Sequence, residues 1–184
     1  LPALLDNDGW KWEGNSYDLD FTFHNVMEIL PFILPGAYIE KGTKLKAGIS
    51  TDGLMSAELV SGRIAYRENY FKGVRLKADN SDNVFGGELK AGEIRAASLL
   101  LRDNYFNLFT DDGHIGIGYT YDNHEEMINR GEFIINGILD RKDDVLGLDV
   151  NIRPSTIYLN SREWSIMPSD LKIRGKEINI GSLE

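Results

Sequence analysis

A period of two runs through most of this chain. Leu19, Phe21 and Phe23 alternate with Asp18, Asp20 and Thr22, and Leu45, Ala47 and Ile49 alternate with Lys44, Lys46 and Gly48. Val74, Leu76 and Ala78 alternate with Arg75 and Lys77, and Leu146, Leu148, Val150 and Ile152 with Gly147, Asp149 and Asn151. Leu171 and Ile173, then Ile178 and Ile180, continue the pattern to the end. Successive side chains of a strand point to opposite faces, so each run describes a strand with one apolar and one wet side. That pattern favours antiparallel pairing over a parallel sheet buried on both faces.

Turn chemistry separates the runs. Asp8-Gly9, Asp52-Gly53 and Asp112-Gly113 are hairpin dipeptides, and 79–83 and 141–144 are polar breaks of loop length. Asn136-Gly137 has apolar residues on both sides and is expected inside a strand. The count predicts on the order of a dozen short strands in an all-β meander. One segment departs from it. Val26, Ile29, Leu30 and Ile33 have helical spacing, Asn25 is a candidate cap, Pro31 prevents a long helix, and Pro35-Gly36 ends it. One short helix or two broken turns are expected near 24–34, acting as a plug over one end of the apolar sheet; the alternative, a membrane-interface or partner helix, is disfavoured because its polar face lacks Lys and Arg.

A loose repeat accompanies the alternation. Leu45-Lys46-Ala47 matches Leu76-Lys77-Ala78 at an offset of 31. At an offset of 30, Asp52, Glu58, Leu59, Gly62 and Ile64 match Asp82, Glu88, Leu89, Gly92 and Ile94. Such a repeat implies a sheet that grows by adding similar strand-turn-strand units.

Charge and composition exclude several functions. The 184 residues hold 20 Lys and Arg against 29 Asp and Glu, a net charge of −9, which argues against a nucleic-acid partner. There is no Cys, so disulfides, zinc fingers and cysteine nucleophiles are excluded. No apolar run reaches the roughly 20 residues of a membrane-spanning helix. The chain opens on Leu1-Pro2-Ala3 and closes on Leu183-Glu184. Both ends are expected to be cuts, making 1–184 a single β-domain excised from a larger polypeptide.

Motifs for catalysis are incomplete. No G-x-S-x-G elbow or Walker lysine occurs, and His124-Glu125-Glu126 is followed by Ile128 where a zinc protease needs its second histidine. Asp79 to Asn83 opens like a calcium loop, but Val84 stands where glycine is obligatory and Lys90 where the bidentate glutamate belongs. The most site-like cluster is acidic: Asp103, Asp111, Asp112, Asp122, Glu125 and Glu126, with His114 and His124, in a stretch free of Lys and Arg. Paired carboxylates serve cations or glycoside hydrolysis, but a run of like charge is more often a solvated loop. The expectation is no enzyme, no cofactor and no functional metal.

Two stretches carry a resemblance. Leu30-Pro31-Phe32-Ile33-Leu34-Pro35-Gly36-Ala37-Tyr38-Ile39, with Gly42 and the Leu45 strand, resembles a segment recurring in Bacteroidetes members of the TamB family (translocation and assembly module, AsmA-like superfamily). Pro154-Ser155-Thr156-Ile157, Trp164-Ser165-Ile166, Pro168-Ser169 and Ile178-Asn179-Ile180 resemble that family's strand, Trp, Pro-Ser turn and closing strand. The resemblance covers the chain from about residue 17 onward. It implies an elongated, curled antiparallel sheet, an open trough called a β-taco, in the periplasm of a Gram-negative bacterium. It further implies a parent anchored in the inner membrane, phospholipid acyl chains as cargo, and an Omp85-family outer-membrane barrel as partner. Lipid movement between the membranes and outer-membrane protein assembly or secretion are the implied roles. The family offers no catalytic residues to transfer.

An apolar sheet face must fold over, meet a second sheet or hold an apolar ligand. In a trough, the groove candidates are Leu76, Phe85, Leu89, Ile94, Ile115, Ile117, Phe133, Ile135, Leu148 and Val150, with Trp164 packed inside. The competing expectation is an extracellular β-sandwich binding carbohydrate or protein, with Trp10, Trp12 and Tyr17 as its aromatic platform. A third, a glycosidase or metal hydrolase, requires the 103–126 carboxylates to converge.

Overall fold

The computed structural model describes residues 14–80, 84–142, 145–174 and 177–181. The strands are β1 (Tyr17–Phe23), β2 (Ala37–Ile39), β3 (Thr43–Ile49), β4 (Met55–Tyr66), β5 (Asn69–Asp79), β6 (Phe85–Ala96) and β7 (Leu99–Asp111). They continue as β8 (His114–Asp122), β9 (Arg130–Lys142), β10 (Val145–Ile152), β11 (Ser155–Leu159), β12 (Arg162–Ile166), β13 (Ser169–Arg174) and β14 (Glu177–Gly181). All belong to one antiparallel sheet, with spatial order β1-β3-β4-β5-β6-β7-β8-β9-β10-β13-β14. The short β2 pairs with β4, and the β11–β12 hairpin hangs off the start of β9. The sheet is open and does not close into a barrel.

Neighbouring strands pair without a register slip, so cross-strand partners define each face. One row runs Phe21, Leu45, Leu59, Leu76, Leu89, Phe106, Tyr119, Phe133. One residue along, on the opposite face, runs Asp20, Lys46, Glu58, Lys77, Glu88, Asn107. Signs alternate across its first five strands, the arrangement that stabilises adjacent strands, and Lys46 Nζ lies 3.5 Å from Asp20. A sequence alternating in each strand thus becomes two chemically opposite surfaces. The repeat is visible as geometry: Leu59 and Leu89 flank Leu76 from either side. Asp82 of the repeat lies outside the described residues.

A glycine column bends the sheet. Gly62, Gly73 and Gly92 are successive neighbours in β4, β5 and β6, with Asp103 next in β7, and the ladder is interrupted at each. Gly73 has φ +60° and Asp103 φ +47°, left-handed values that break a strand's pleat. Beside the column lies the tightest row of the protein: Ser61, Val74, Ala91 and Asn104, with Thr43 bonded to Ser61 through hydroxyls 2.6 Å apart, all at most 4% exposed. Asn104 donates to the carbonyls of Ala91 and Leu101, and its Oδ1 accepts from the Tyr119 hydroxyl at 2.7 Å. Beyond the column a second apolar row, Ile39, Ile64, Phe71, Ile94 and Leu101, occupies positions of the opposite parity.

Three expectations are corrected. The 24–34 segment forms a 3₁₀ turn, Val26–Glu28, and one helical turn, α1 (Leu30–Ile33), but no residue of either is buried and Phe32 is 88% exposed. It is not a plug. Asn25 precedes the turn without a side-chain capping bond. Trp164 is 54% exposed on β12, the outer strand of the side hairpin, so it does not pack inside. The β-sandwich framework is absent among the described residues, whose strands all belong to one sheet and make their main contacts with their sheet neighbours.

Candidate functional site

Nine of the ten groove candidates share one face. Leu76, Leu89 and Phe133 lie in the row already described. Ile117 and Ile135 are paired in the next row, between Leu108 and Ile152. Phe85, Ile115 and Val150 lie in a third, which runs Phe85, Thr110, Ile115, Gly137, Val150, Leu171. Leu148 opens a fourth with Leu139, Ile173 and Ile178. Asn136-Gly137 sits inside β9, where the absence of a side chain at Gly137 leaves room for Leu148 and Ile115 on either side.

Ile94 lies apart from these four rows. It pairs with Phe71 and Leu101 beyond the glycine column. Leu89 and Ile94 share a repeat but differ by five positions, which strict alternation puts on opposite faces. The column's irregular backbone separates them. Gly62 and Gly92 of the repeat were the signal for this break.

The apolar face is extensive and thinly covered. All ten candidates are half-buried, none fully. Among the described residues the buried hydrophobic set is only Ala65, Val74, Ala91, Tyr121 and Ile157. Tyr119 stacks on Phe133 at 6.1 Å and on Tyr121 at 5.6 Å, so aromatics shield one another where no second layer does. Burial raises the Tyr119 phenol to about 12 and pushes Tyr121 upward for the same reason. At the β1 edge the face opens fully, with Leu19 and Phe21 exposed.

The opposite face carries a depression of about 650 Å³ between Phe109, His114, Ile138, Asp149, Asp170 and Lys172. The Phe109 ring lies across Gly116, where a Cβ would come within 2.0 Å of it. Asn151 donates to Asp170 at 2.9 Å, and Arg174 pairs with Asp149 at 2.9 Å. This hollow is mixed in polarity, and Ile115, Gly137, Val150 and Leu171 of the third row also contribute to its lining.

The acidic cluster divides. Asp111 and Asp112 flank the β7–β8 turn, where Asp112 (φ +43°) and Gly113 (φ +76°) form a two-residue hairpin. Asp103 lies eight residues back along β7, about 26 Å away. There His124 stands 3.4 Å from Asp103 and 3.5 Å from Asp122, while Arg102 pairs with Glu125 and with Glu93. Glu93 also accepts from Lys72 at 2.8 Å and Tyr70 at 2.6 Å, and these bonds hold its carboxyl near 2. Among the described residues no three acidic or histidine side chains group as metal ligands. No helix among them is long and apolar enough to cross a membrane. Trp10 and Trp12 lie outside the described residues, and Tyr17 is exposed on edge strand β1.

No family model, no curated protein and no solved structure matches the chain.

Proposed function

We propose that the apolar face is the wall of an open lipid trough, and that the domain is a segment of an envelope protein carrying phospholipid acyl chains between two membranes. The observation behind this reading is the continuity of the face. Its first row crosses eight strands, about 34 Å at the usual strand spacing, comparable with the ~30 Å hydrocarbon core of a bilayer. An acyl chain in water costs about 0.8 kcal/mol per exposed CH₂, and a continuous apolar wall removes much of that cost along the path. Headgroups remain in water at the open side. The resemblance to the TamB family supports the same reading and extends it to a periplasmic location, an inner-membrane anchor and an Omp85-family partner.

The binding step is tested with the purified chain and a pyrene-labelled phosphatidylethanolamine. Saturable uptake is expected, with weakened uptake when Leu89 or Ile117 becomes Asp and little change when Glu88 becomes Gln. A charge in the acyl path costs several kcal/mol unless solvated or neutralised. Circular dichroism checks that each variant folds. Absence of uptake by the folded wild type contradicts the proposal.

A further inference from the structure

The two most exposed apolar side chains among the described residues, Phe32 and Ile33, are not on the trough wall. They are gathered on the 26–34 segment: Phe32 is 88% exposed, Ile33 74% and Ile29 62%, with Leu34 and Met27 also open. The segment projects at one end of the sheet, beside the β4–β5 turn. Its root is fixed there by β2, whose Ala37 and Tyr38 pair with Tyr66 and Ala65, and by the Arg67 amide donating to the Gly36 carbonyl at 2.7 Å. Gly36 has φ +87° and carries the Arg67 stem 3.1 Å from its would-be Cβ, so the chain reverses in a form only glycine adopts freely.

The surroundings are those of a membrane interface. Arg67 lies over the Tyr66 ring at 5.2 Å, and Arg63 over Tyr38 at 5.6 Å, forming a belt of tyrosine and arginine at the root of an uncharged tip. Residues 29–34 contain no charge. Tyr and Arg with apolar bodies and polar ends sit naturally at the headgroup level. Part of the tip's backbone is hydrogen-bonded locally: the amides of Ile29, Phe32 and Leu34 donate to carbonyls within the segment, the Glu28 amide to the Asn25 carbonyl, and Pro31 has no N–H. Buried unpaired amides are what makes irregular backbone costly in lipid. A single helical turn offers no i, i+3, i+7 stripe for a protein groove, so a fluid apolar phase fits it better.

We propose that the 26–34 segment is a bilayer-docking tip, which inserts its apolar residues to the boundary of headgroups and acyl chains while Tyr38, Tyr66, Arg63 and Arg67 stay at the interface. Glu68 adjoins Arg67 in sequence, the Glu40 amide donates to the Arg63 carbonyl at 2.9 Å, Glu28 lies in the segment itself, and the whole chain is acidic. Insertion is therefore driven by the apolar tip and does not require anionic lipid. The inference rests on a different surface from the trough and stands whether or not the trough carries lipid.

The test is flotation of the 184-residue chain with vesicles of phosphatidylcholine, and separately of mixed phosphatidylethanolamine and phosphatidylglycerol. The wild type is expected to float with both. The double variant Phe32→Ser, Ile33→Ser is expected to bind at least roughly tenfold more weakly, given the size of the apolar side chains removed. Ile138→Ser, at an apolar site 52% exposed on the charged face, is expected to bind as the wild type does. Circular dichroism confirms that all three fold. The proposal is overturned if the wild type ignores both vesicles, if it needs the anionic lipid, if the tip variant binds equally, or if Ile138→Ser is equally impaired. A wild type that ignores vesicles but self-associates through the tip assigns the surface to a second copy and also overturns it. Failure of labelled-lipid uptake with docking intact removes the trough reading alone.

Discussion

Gly73 stands across from Gly92 at the bend of the sheet, with a φ of +60° and its would-be Cβ 3.6 Å from the Gly92 nitrogen. The two look alike in sequence but do different things. A β-branched residue at 73 must adopt a left-handed backbone, whereas a methyl at Gly92 meets only ordinary contact at 3.8 Å from the Lys72 carbonyl. Gly73→Val is expected to lower the unfolding free energy by about 1–3 kcal/mol, and Gly92→Ala by less than about 0.5. Urea denaturation of both variants checks the difference.

Phe109 and Gly116 form a unit on the charged face. The ring occupies the space that a side chain at 116 needs. Gly116→Val displaces the ring and is expected to cost about 1 kcal/mol in the wild type, but less once Phe109 is already Ala. A double-mutant cycle by thermal or urea unfolding reads the coupling. Additive effects contradict the packing described.

Acid sensitivity is expected at Glu93. Hydrogen bonds from Lys72, then Tyr70, hold its carboxyl near 2, below the ordinary value of 4.5. The folded state therefore binds this proton less readily than the unfolded one. The resulting stability is fully present above pH 4.5 and is lost as pH falls toward 2. Glu93→Gln is expected to be less stable than the wild type at neutral pH, with the gap closing between pH 4.5 and 2. A gap that does not change with pH contradicts this assignment.

Faces were readable from alternation, because Leu45, Leu76 and Leu89 each sit among polar neighbours in their own runs. Which runs share a face depends on register, and register depends on turn lengths spread along the chain. That is why Phe85, Ile115 and Val150 meet in one row only once the strands are paired. Ile94 lies beyond the glycine column, where the left-handed backbone at Gly73 interrupts the alternation, and only Gly62 and Gly92 marked the spot in the repeat. Phe32 and Trp164 were misjudged differently. Apolar character predicts burial on average, yet a projecting tip and a side hairpin reverse it.

The central claim, that acyl chains run along the apolar face, is tested most directly by site-specific photocrosslinking in cells making the protein. A photoreactive residue is placed in turn at Leu76, Leu89, Ile117, Ile135 and Leu148, and at Lys77, Glu88 and Asp149 on the opposite face. Phospholipid adducts from the first set and none from the second are predicted. Equal labelling of both faces, or none from either while the protein remains folded, contradicts the trough.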